Sequence, residues 1–230
     1  MPRASKRKSE PLSSSNAKAS RVDSSTAASK KPLSKVDERI IGIFHNYANK
    51  SLEMIDPEGI EALCSDLGVD HTDVRILMFA WKLKAERQGY FTQDEWLRGL
   101  KALQVDTINK LKKALPNLEK EVWKPENFED FYFYAFRYCL TEDKQKCIDI
   151  ESVCLLIELV LGSKYKLLVE SFTEYLKSQS DYKAINKDQW ISFLRFCQEV
   201  SFPDLENYDI DQAWPVLLDN FVEWMRERQR

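Results

Sequence analysis

The chain of 230 residues is 43% hydrophobic and 12% aromatic, the composition of a globular protein with a core of its own. Glycine is scarce, with 6 residues, and helix-forming residues are abundant, so the composition favours an all-α fold. The net charge of −3 is divided unequally: residues 1–34 carry eight Lys or Arg and two acids, a balance of +6, so residues 35–230 carry −9. Such an acidic body favours a basic protein partner and argues against nucleic acid as the main ligand.

The number and spacing of the cysteines indicate the redox state of the compartment. The five cysteines are an odd number and include no Cys-x-x-Cys pair, which argues for a reducing compartment and against a disulfide framework or a zinc site. No apolar run resembles a signal peptide or reaches the length of a membrane span. We therefore expect a soluble intracellular protein without a membrane partner.

Residues 1–34 form a basic N-terminal tail. They contain ten serines and no aromatic residue, so they cannot bury enough apolar surface to offset the entropy of ordering, and we predict disorder. Within them, Lys6, Arg7 and Lys8 are typical of a nuclear localisation signal, which is recognised as exposed positive charge. A tail that only improves solubility is the alternative. The location that these residues predict is the nucleus, the cytoplasm or both.

Helical periodicity begins at Ser34, and residues 35–230 are predicted to form one domain. Ser34 and Asp37 form a capping box in front of apolar residues at helical spacing. The connections between periodic segments are short, as in a compact helical domain. Further helices are predicted at about 57–67, 71–87, 92–103, 106–120, 126–140, 149–162, 164–178, 186–200 and 213–228.

The last predicted helix is amphipathic. Asp211 lies where a helix start favours a carboxylate, and Pro215 falls in the predicted first turn, where a missing N–H is harmless. We expect its acids, including Asp219 and Glu223, to stay in solvent. Its predicted apolar stripe contains Trp214, Leu217, Leu218, Phe221 and Met225.

Four short segments share one form: a polar turn, a β-type apolar residue and a capping residue that opens a new helix. The apolar residues Ile55 and Phe91 are 36 positions apart, and Ile148 and Ile185 are 37 apart. This spacing is typical of two EF-hand-like pairs, in which the two apolar residues of a pair meet in a short two-stranded contact. Chance periodicity in a helical bundle is the alternative.

The EF-hand-like loops lack the residues that calcium requires. If Gly89 is the invariant loop glycine, Glu95 falls at the final, bidentate position. The first ligand position is then Lys84, which puts a positive charge where the ion belongs. We therefore predict the fold without a metal or other cofactor, although a calcium-binding regulatory module remains the rival hypothesis.

Catalytic motifs are not recognisable in the sequence. It has two histidines, His45 and His71, of which the latter is expected to cap a helix, and no phosphate loop or dinucleotide fingerprint. Cys147, beside Lys144 and Lys146, is the one candidate for a reactive thiol. The other four cysteines lie among apolar neighbours and are expected to be buried. Binding is therefore a better hypothesis than catalysis.

Four segments of the sequence form a recognisable set: Ile185-Asn-Lys-Asp-Gln-Trp190, Asn207-Tyr-Asp-Ile-Asp-Gln-Ala-Trp-Pro-Val-Leu-Leu-Asp-Asn-Phe-Val-Glu-Trp224, Phe79-Ala-Trp-Lys82 and Ile55-Asp-Pro-Glu-Gly-Ile60. The first two resemble the signature of the defective-in-cullin-neddylation family, and the two shorter ones fit the same domain. The resemblance extends over about residues 35–230. It implies an all-helical potentiating-neddylation domain built from EF-hand-like pairs, in a member without the N-terminal ubiquitin-binding domain.

The resemblance also implies a function. Members of this family are scaffold co-ligases rather than enzymes in their own right. They hold a cullin and the neddylation conjugating enzyme together, with the RING subunit as an indirect partner, and thereby activate cullin-RING ubiquitin ligases. We expect the same partners here.

The family's acidic cullin-binding patch falls on Asp188, Ala213 and Asp219. Asp188 is expected in the first turn of a helix capped by Asn186, where a carboxylate is also favoured by the helix dipole alone. The small Ala213 permits a close approach of the partner.

The second family site is an apolar pocket for the acetylated N-terminal methionine of the conjugating enzyme. Acetylation removes an amine charge that would be costly to bury. The same residues also fit an ordinary core, which is the alternative. By resemblance, the pocket is lined by Ile60, Ile76, Phe79, Gln88, Tyr138, Leu156 and Leu159.

Overall fold

The computed structural model describes residues 33–142 and 144–229. The predicted tail and the localisation signal at Lys6, Arg7 and Lys8 therefore lie outside the described residues, apart from the last two tail positions. The helices in the described part are α1 Lys35–Tyr47, α2 Pro57–Leu67, α3 Val74–Leu83, α4 Gln93–Ala102, α5 Ile108–Val122, α6 Pro125–Tyr138, α7 Ile150–Leu161, α8 Lys166–Ser178, α9 Lys187–Glu199 and α10 Val216–Arg228. The strands are β1 Ala48–Asn49, β2 Met54–Ile55, β3 Phe91–Thr92, β4 Cys147–Asp149 and β5 Ala184–Asn186. The predicted all-α class is confirmed, and in these ranges no helix is long and apolar enough to cross a membrane.

The strands join the helices into the two predicted EF-hand-like pairs. Strands β2 and β3 are antiparallel with Ile55 opposite Phe91, and β4 and β5 are antiparallel with Ile148 opposite Ile185. Both predicted contacts are therefore confirmed. All four side chains are almost fully buried, so each contact is also part of the core. Strand β1 pairs with the other edge of β2, an addition that the repeat pattern does not predict.

Strands β2, β3, β4 and β5 are each followed directly by a capped helix. The side chains that follow the four apolar residues each accept a hydrogen bond from the backbone N–H three residues further on, at 2.9 to 3.2 Å. This satisfies one of the unpaired donors at the start of a helix and fixes the helix at the strand end. The capping residues are Asp56, Thr92, Asp149 and Asn186.

Glu95 closes the loop in which calcium would bind in an EF-hand. Its Oε1 accepts the N–H of Glu86 at 2.9 Å, and its Oε2 accepts the N–H of Thr92 at 2.7 Å. The carboxylate is 7% exposed, so both of its oxygens serve the loop itself. The described residues contain no group of three or more His, Cys, Asp or Glu side chains arranged to hold a metal ion.

The two halves of the domain are joined through α6 and α9. The Tyr132 hydroxyl donates to the Trp190 carbonyl at 2.9 Å, and the Trp190 indole N–H donates to the Tyr132 carbonyl at 3.0 Å. The two rings stack with their centroids 4.3 Å apart. This reciprocal contact satisfies the polar atoms of both buried side chains and holds the second pair in place.

The predicted start of the last helix is wrong. Helix α10 begins at Val216, three residues later than predicted, and Pro215 occupies the capping position in an extended conformation. A residue that precedes proline is sterically biased away from the helical region, which keeps Trp214 outside the helix. Asp211 therefore lies in a turn rather than at the helix start.

Helix α3 is also shorter than predicted. Asp73 rather than His71 caps it, since the Asp73 carboxylate accepts the Arg75 N–H at 2.8 Å. It ends at Leu83 because Lys84 adopts a left-handed conformation with a φ of 55°. The predicted capping role of His71 is therefore wrong.

Candidate functional site

A cavity of about 760 Å³ opens between α2, α3, α6 and α7, and we call it the apolar pocket. The sequence-predicted residues in its wall come from all four of these helices and from the loop before β3. The fold therefore brings together side chains that are up to 99 positions apart in the sequence. These residues are Ile60, Ile76, Gln88, Tyr138, Leu156 and Leu159.

Phe79, the remaining predicted pocket residue, does not line the cavity. It is fully buried beneath the wall, with its ring in edge contact with Phe91 at 6.0 Å and with Trp96 at 5.8 Å between centroids. Ile76 and Ala80, four residues apart, share the face of α3 that lines the pocket, whereas Phe79 lies about 80° around the helix from the middle of that face. Phe79 is therefore not among the residues that line the cavity, whereas Phe91 is, and a role of Phe79 in ligand binding stays a prediction.

Tyr138 fixes the polar end of the apolar pocket. Its hydroxyl oxygen accepts the Gly89 N–H at 3.2 Å, and its ring stacks on Tyr134 at 5.2 Å between centroids. Burial raises the pKa of Tyr138 to about 12, so the hydroxyl is uncharged at neutral pH. The bond anchors the loop that carries Gln88 and keeps this side of the wall neutral.

The rim of the apolar pocket includes an exposed leucine that the resemblance does not single out. Leu155 borders the cavity and is 67% exposed, whereas its neighbour Leu156 is 6% exposed. A signal was available in the sequence, because α7 is apolar on more sides than one buried stripe requires. A large exposed apolar side chain beside a concave apolar wall is typical of a site that receives another chain.

Ala213 lies in a segment whose neighbouring residues are bound by a side chain of α9. The Arg195 guanidinium donates to the Gln212 side-chain oxygen at 3.0 Å and stacks 4.3 Å from the Trp214 ring centroid. Ala213 is exposed between these two anchored neighbours. The segment is therefore held in a defined position although it has no regular secondary structure.

Asp219 lies in the first turn of α10 and is half-buried rather than free in solvent. Its carboxylate accepts the Tyr208 hydroxyl at 2.5 Å, and the Tyr208 ring stacks on Trp214 at 5.9 Å. Burial, and then the hydrogen bond and charge of Asp219, raise the pKa of Tyr208. Ala213 and Asp219 are thus joined through one aromatic cluster, a role of Tyr208 that spacing alone does not reveal.

Asp188 is exposed in the first turn of α9, behind the Asn186 capping box, as predicted. It precedes Arg195 by seven residues, two helical turns, so both lie on one face of α9 about 10 Å apart along the axis. We call the face formed by Asp188, Ala213 and Asp219 the acidic surface. Asp219 and the segment that carries Ala213 are linked through Tyr208 and Trp214, and Asp188 is related to them through Arg195 of α9, which stacks on Trp214.

Two apolar side chains project from the acidic surface. Ile210 is 69% exposed between Asp209 and Asp211, and Val216 is 66% exposed at the start of α10. Protein interfaces combine such apolar contacts with a charged rim. The acidic surface therefore has the composition of a docking site for a basic protein surface.

The thiols offer no comparable site. Burial raises the pKa of Cys64, Cys139 and Cys154 to about 11, which suppresses their thiolate forms. Cys147 is exposed, and its backbone carbonyl accepts a hydrogen bond from the Gln145 side-chain amide at 2.9 Å. In the part of the chain that is described, no hydrogen bond or ion pair joins the Cys147 thiol to a base.

The fold and the two sites define an EF-hand-like helical binding module with an apolar pocket and a separate acidic surface. A family model described as Cullin binding matches residues 110–224. The chain is 42% identical to human DCN1-like protein 4 over 192 residues, which cover 84% of this chain and 64% of that protein. It is 41% identical to human DCN1-like protein 5, with 84% and 79% covered, and 42% identical to Drosophila melanogaster DCN1-like protein 4, with 76% and 68% covered.

The chain thus spans less than two thirds of the human DCN1-like protein 4. It nevertheless belongs to the DCN1-like family and carries the family's cullin-binding domain. The family resemblance inferred from the sequence motifs is confirmed.

Proposed function

We propose that this protein is a scaffold co-ligase for cullin neddylation, without catalytic residues of its own. It binds the C-terminal domain of a cullin at the acidic surface and the N-acetylated neddylation conjugating enzyme at the apolar pocket. The cullin-RING ubiquitin ligase, including its RING subunit as an indirect partner, is activated as a result. The observation that carries the proposal is the convergence of six of the seven expected pocket residues on one cavity in a chain of this family.

The physical mechanism is proximity. A scaffold that holds the acceptor and the charged conjugating enzyme at once turns their encounter into an effectively intramolecular event. Orientation of the two reacting groups then lowers the barrier without any acid, base or nucleophile from the scaffold.

The chemistry of the apolar pocket supports an acetylated ligand. Its lining combines eight aliphatic residues and the neutral Tyr138 hydroxyl with three carboxylates, Asp73, Asp149 and Glu158, each of which already has a partner on the protein. A free α-amino group would carry its charge into these surroundings at a large desolvation cost, whereas an acetylated amide needs only a hydrogen-bond partner. Gln88, at the rim of the pocket, supplies a side-chain amide for that purpose.

The charge of the acidic surface supports a basic partner. Complementary charges raise the association rate and fix the orientation of a complex, while apolar anchors contribute most of the affinity. We assign the anchoring contacts to Ile210 and Val216 and the orienting contacts to Asp188 and Asp219. The basic cluster Lys6, Arg7 and Lys8 is proposed to direct the protein to the nucleus.

Calorimetry with a cullin C-terminal domain tests the first half of the proposal. Saturable binding by the wild type is expected to be lost in an Asp188→Ala/Asp219→Ala variant. The matched control removes two exposed acids from α6, Glu126→Ala/Glu129→Ala, and is expected to bind normally. Wild-type protein that binds no cullin would refute the cullin assignment. Loss of cullin binding in both variants would mean that binding depends on the overall negative charge and not on Asp188 and Asp219.

Peptides from the N-terminus of the conjugating enzyme test the second half. The acetylated peptide is expected to bind at least about tenfold more tightly than the same peptide with a free amine. In reconstituted neddylation, a Leu159→Asp variant is expected to lose its rate enhancement while retaining cullin binding. Equal affinity for the two peptides would contradict the assignment of the apolar pocket.

A further inference from the structure

A second concavity, of about 960 Å³, lies between the end of α3, the outer side of α6 and the start of α9. We call it the basic groove. Its rim carries the cations Lys84, Arg137, Lys146 and Lys187. It is separate from the apolar pocket, with the Gln145 side chain bordering both.

The charges of the basic groove are available to a ligand. Lys82, a fifth cation of the lining, is paired with Glu121 at 2.6 Å. The four rim cations form no ion pair within the described residues 33–142 and 144–229. Of the two carboxylates in the lining, Asp130 accepts the Trp81 indole N–H at 2.8 Å, and Asp188 lies at the border with the acidic surface. Four such cations stand out on a body whose net charge is −9.

The floor of the basic groove is aromatic. Trp81 and Phe133 are half-buried in it, and the Arg137 guanidinium lies 5.7 Å from the Tyr134 ring centroid. Half-buried aromatic faces provide large apolar contact area at little cost in side-chain entropy. The groove therefore offers one apolar seat with four cations at its rim.

We propose that the basic groove binds an acidic peptide segment of a partner protein, with one aromatic or large aliphatic side chain between carboxylates. The rim cations pair with the carboxylates, and the apolar side chain packs on Trp81 and Phe133. The chain's own residues 1–34 are excluded by their charge of +6. Nucleic acid is disfavoured because a phosphate backbone extending beyond the groove would meet the acidic body.

This site goes beyond the proposed scaffold function, since it requires neither the apolar pocket nor cullin. Asp188 borders both the basic groove and the acidic surface, so a test must leave it and its neighbour Lys187 unchanged. Lys84 and Lys146 meet that condition, because both are exposed and distant in sequence from the acidic surface. Replacing Lys84 by another residue with a Cβ also leaves its left-handed backbone no more strained than before.

The experiment measures fluorescence anisotropy of a labelled Glu-Glu-Phe-Glu-Glu peptide with the full chain. Saturable binding is expected, with affinity falling as salt is raised. Lys84→Glu/Lys146→Glu is expected to weaken binding at least about tenfold. The matched control Lys113→Glu/Lys120→Glu makes the same charge change on exposed positions of α5 and is expected to stay within about twofold.

A second variant tests the apolar seat without changing charge. Phe133→Ala is expected to weaken the Phe-containing peptide by about tenfold and to leave a Glu-Glu-Ala-Glu-Glu peptide unaffected. The proposal is overturned if the two charge variants behave alike, if a short single-stranded oligonucleotide binds more tightly than the peptide, or if the peptide does not bind. Cullin binding by Lys84→Glu/Lys146→Glu is expected to match the wild type, and its loss would assign the groove to the cullin site instead.

Discussion

The apolar pocket and the acidic surface are built in opposite ways. The pocket draws its wall from α2, α3, α6, α7 and a loop, and its side chains are continuous with the core. The acidic surface has its centre in residues 207–223, a contiguous stretch held in place by an aromatic cluster around Trp214. One site is a property of the whole fold, and the other is largely a property of one segment.

This difference determines what a substitution can reveal. A change in the wall of the pocket alters core packing and stability together with binding, since interiors are close-packed. A change at an exposed position of the acidic surface alters binding with little effect on stability. The expected change in the free energy of unfolding therefore falls from the pocket wall to the exposed acidic surface.

Leu156→Ala is expected to lower the free energy of unfolding by about 2–4 kcal/mol, because it empties a buried position in α7. Its neighbour Leu155 is exposed at the rim of the pocket, so Leu155→Ala is expected to change stability by less than about 0.5 kcal/mol. Both variants should bind the acetylated peptide more weakly. Urea denaturation and peptide titration of the two proteins measure the pair.

The Leu155 variant is the more informative of the two, because it removes a contact with the ligand without changing the packing of the core. A normal peptide affinity in Leu155→Ala would mean that the ligand does not reach the rim. A large loss of stability in the same variant would mean that the rim belongs to the core, and the contrast between the two sites would weaken.

Glu95→Ala is expected to cost about 1–3 kcal/mol of stability, because the backbone N–H groups of Glu86 and Thr92 lose their acceptor. The loop that these bonds close also carries Gln88 and Gly89, so the pocket should be disturbed from its polar end. Asp94→Ala removes an exposed acid from the same helical turn and should change stability by less than about 0.5 kcal/mol. Thermal or urea unfolding compares the stabilities of the two variants. Equal losses of stability would show that the Glu95 carboxylate does not stabilise the loop.

Tyr208→Phe probes the acidic surface where it is least exposed. Loss of the hydrogen bond to Asp219 is expected to cost about 0.5–1.5 kcal/mol at neutral pH. Because the folded-state pKa of Tyr208 is raised, its contribution is present below pH ~10 and is lost as the pH rises further. The variant should therefore lose less stability between neutral and alkaline pH than the wild type. Identical alkaline unfolding curves would show that Asp219 is not held by Tyr208.

The sequence predicts the parts of the molecule that depend on local periodicity. The pairing of Ile55 with Phe91 and of Ile148 with Ile185 follows from spacing, because each apolar residue precedes a capping residue and must be buried. The observed start of α10 differs from the predicted one because the effect of Pro215 on the preceding residue outweighs the capping preference of Asp211.

The details of the sites depend on tertiary contacts and were less predictable. The resemblance places Phe79 in the pocket wall, and helical spacing does not distinguish such a wall from the core beneath it, where Phe79 packs against Phe91 and Trp96. The pairing of Tyr208 with Asp219 depends on the bend of the intervening loop. The basic groove combines residues from α3, α6 and α9 and has no linear motif.

Ala213→Arg is expected to change stability least and binding most. Ala213 is exposed, so an arginine there can extend into solvent, and the free energy of unfolding should shift by less than about 0.5 kcal/mol. At the cullin interface, the same arginine adds bulk and a positive charge opposite a basic partner, and affinity should fall by about a hundredfold or more. Gln198→Arg, at an exposed position of α9, serves as the control for the added charge. An Ala213 variant that is destabilised, or that binds cullin normally, would show that this segment is structural, whereas loss of binding alone would identify it as a docking surface carried by a stable fold.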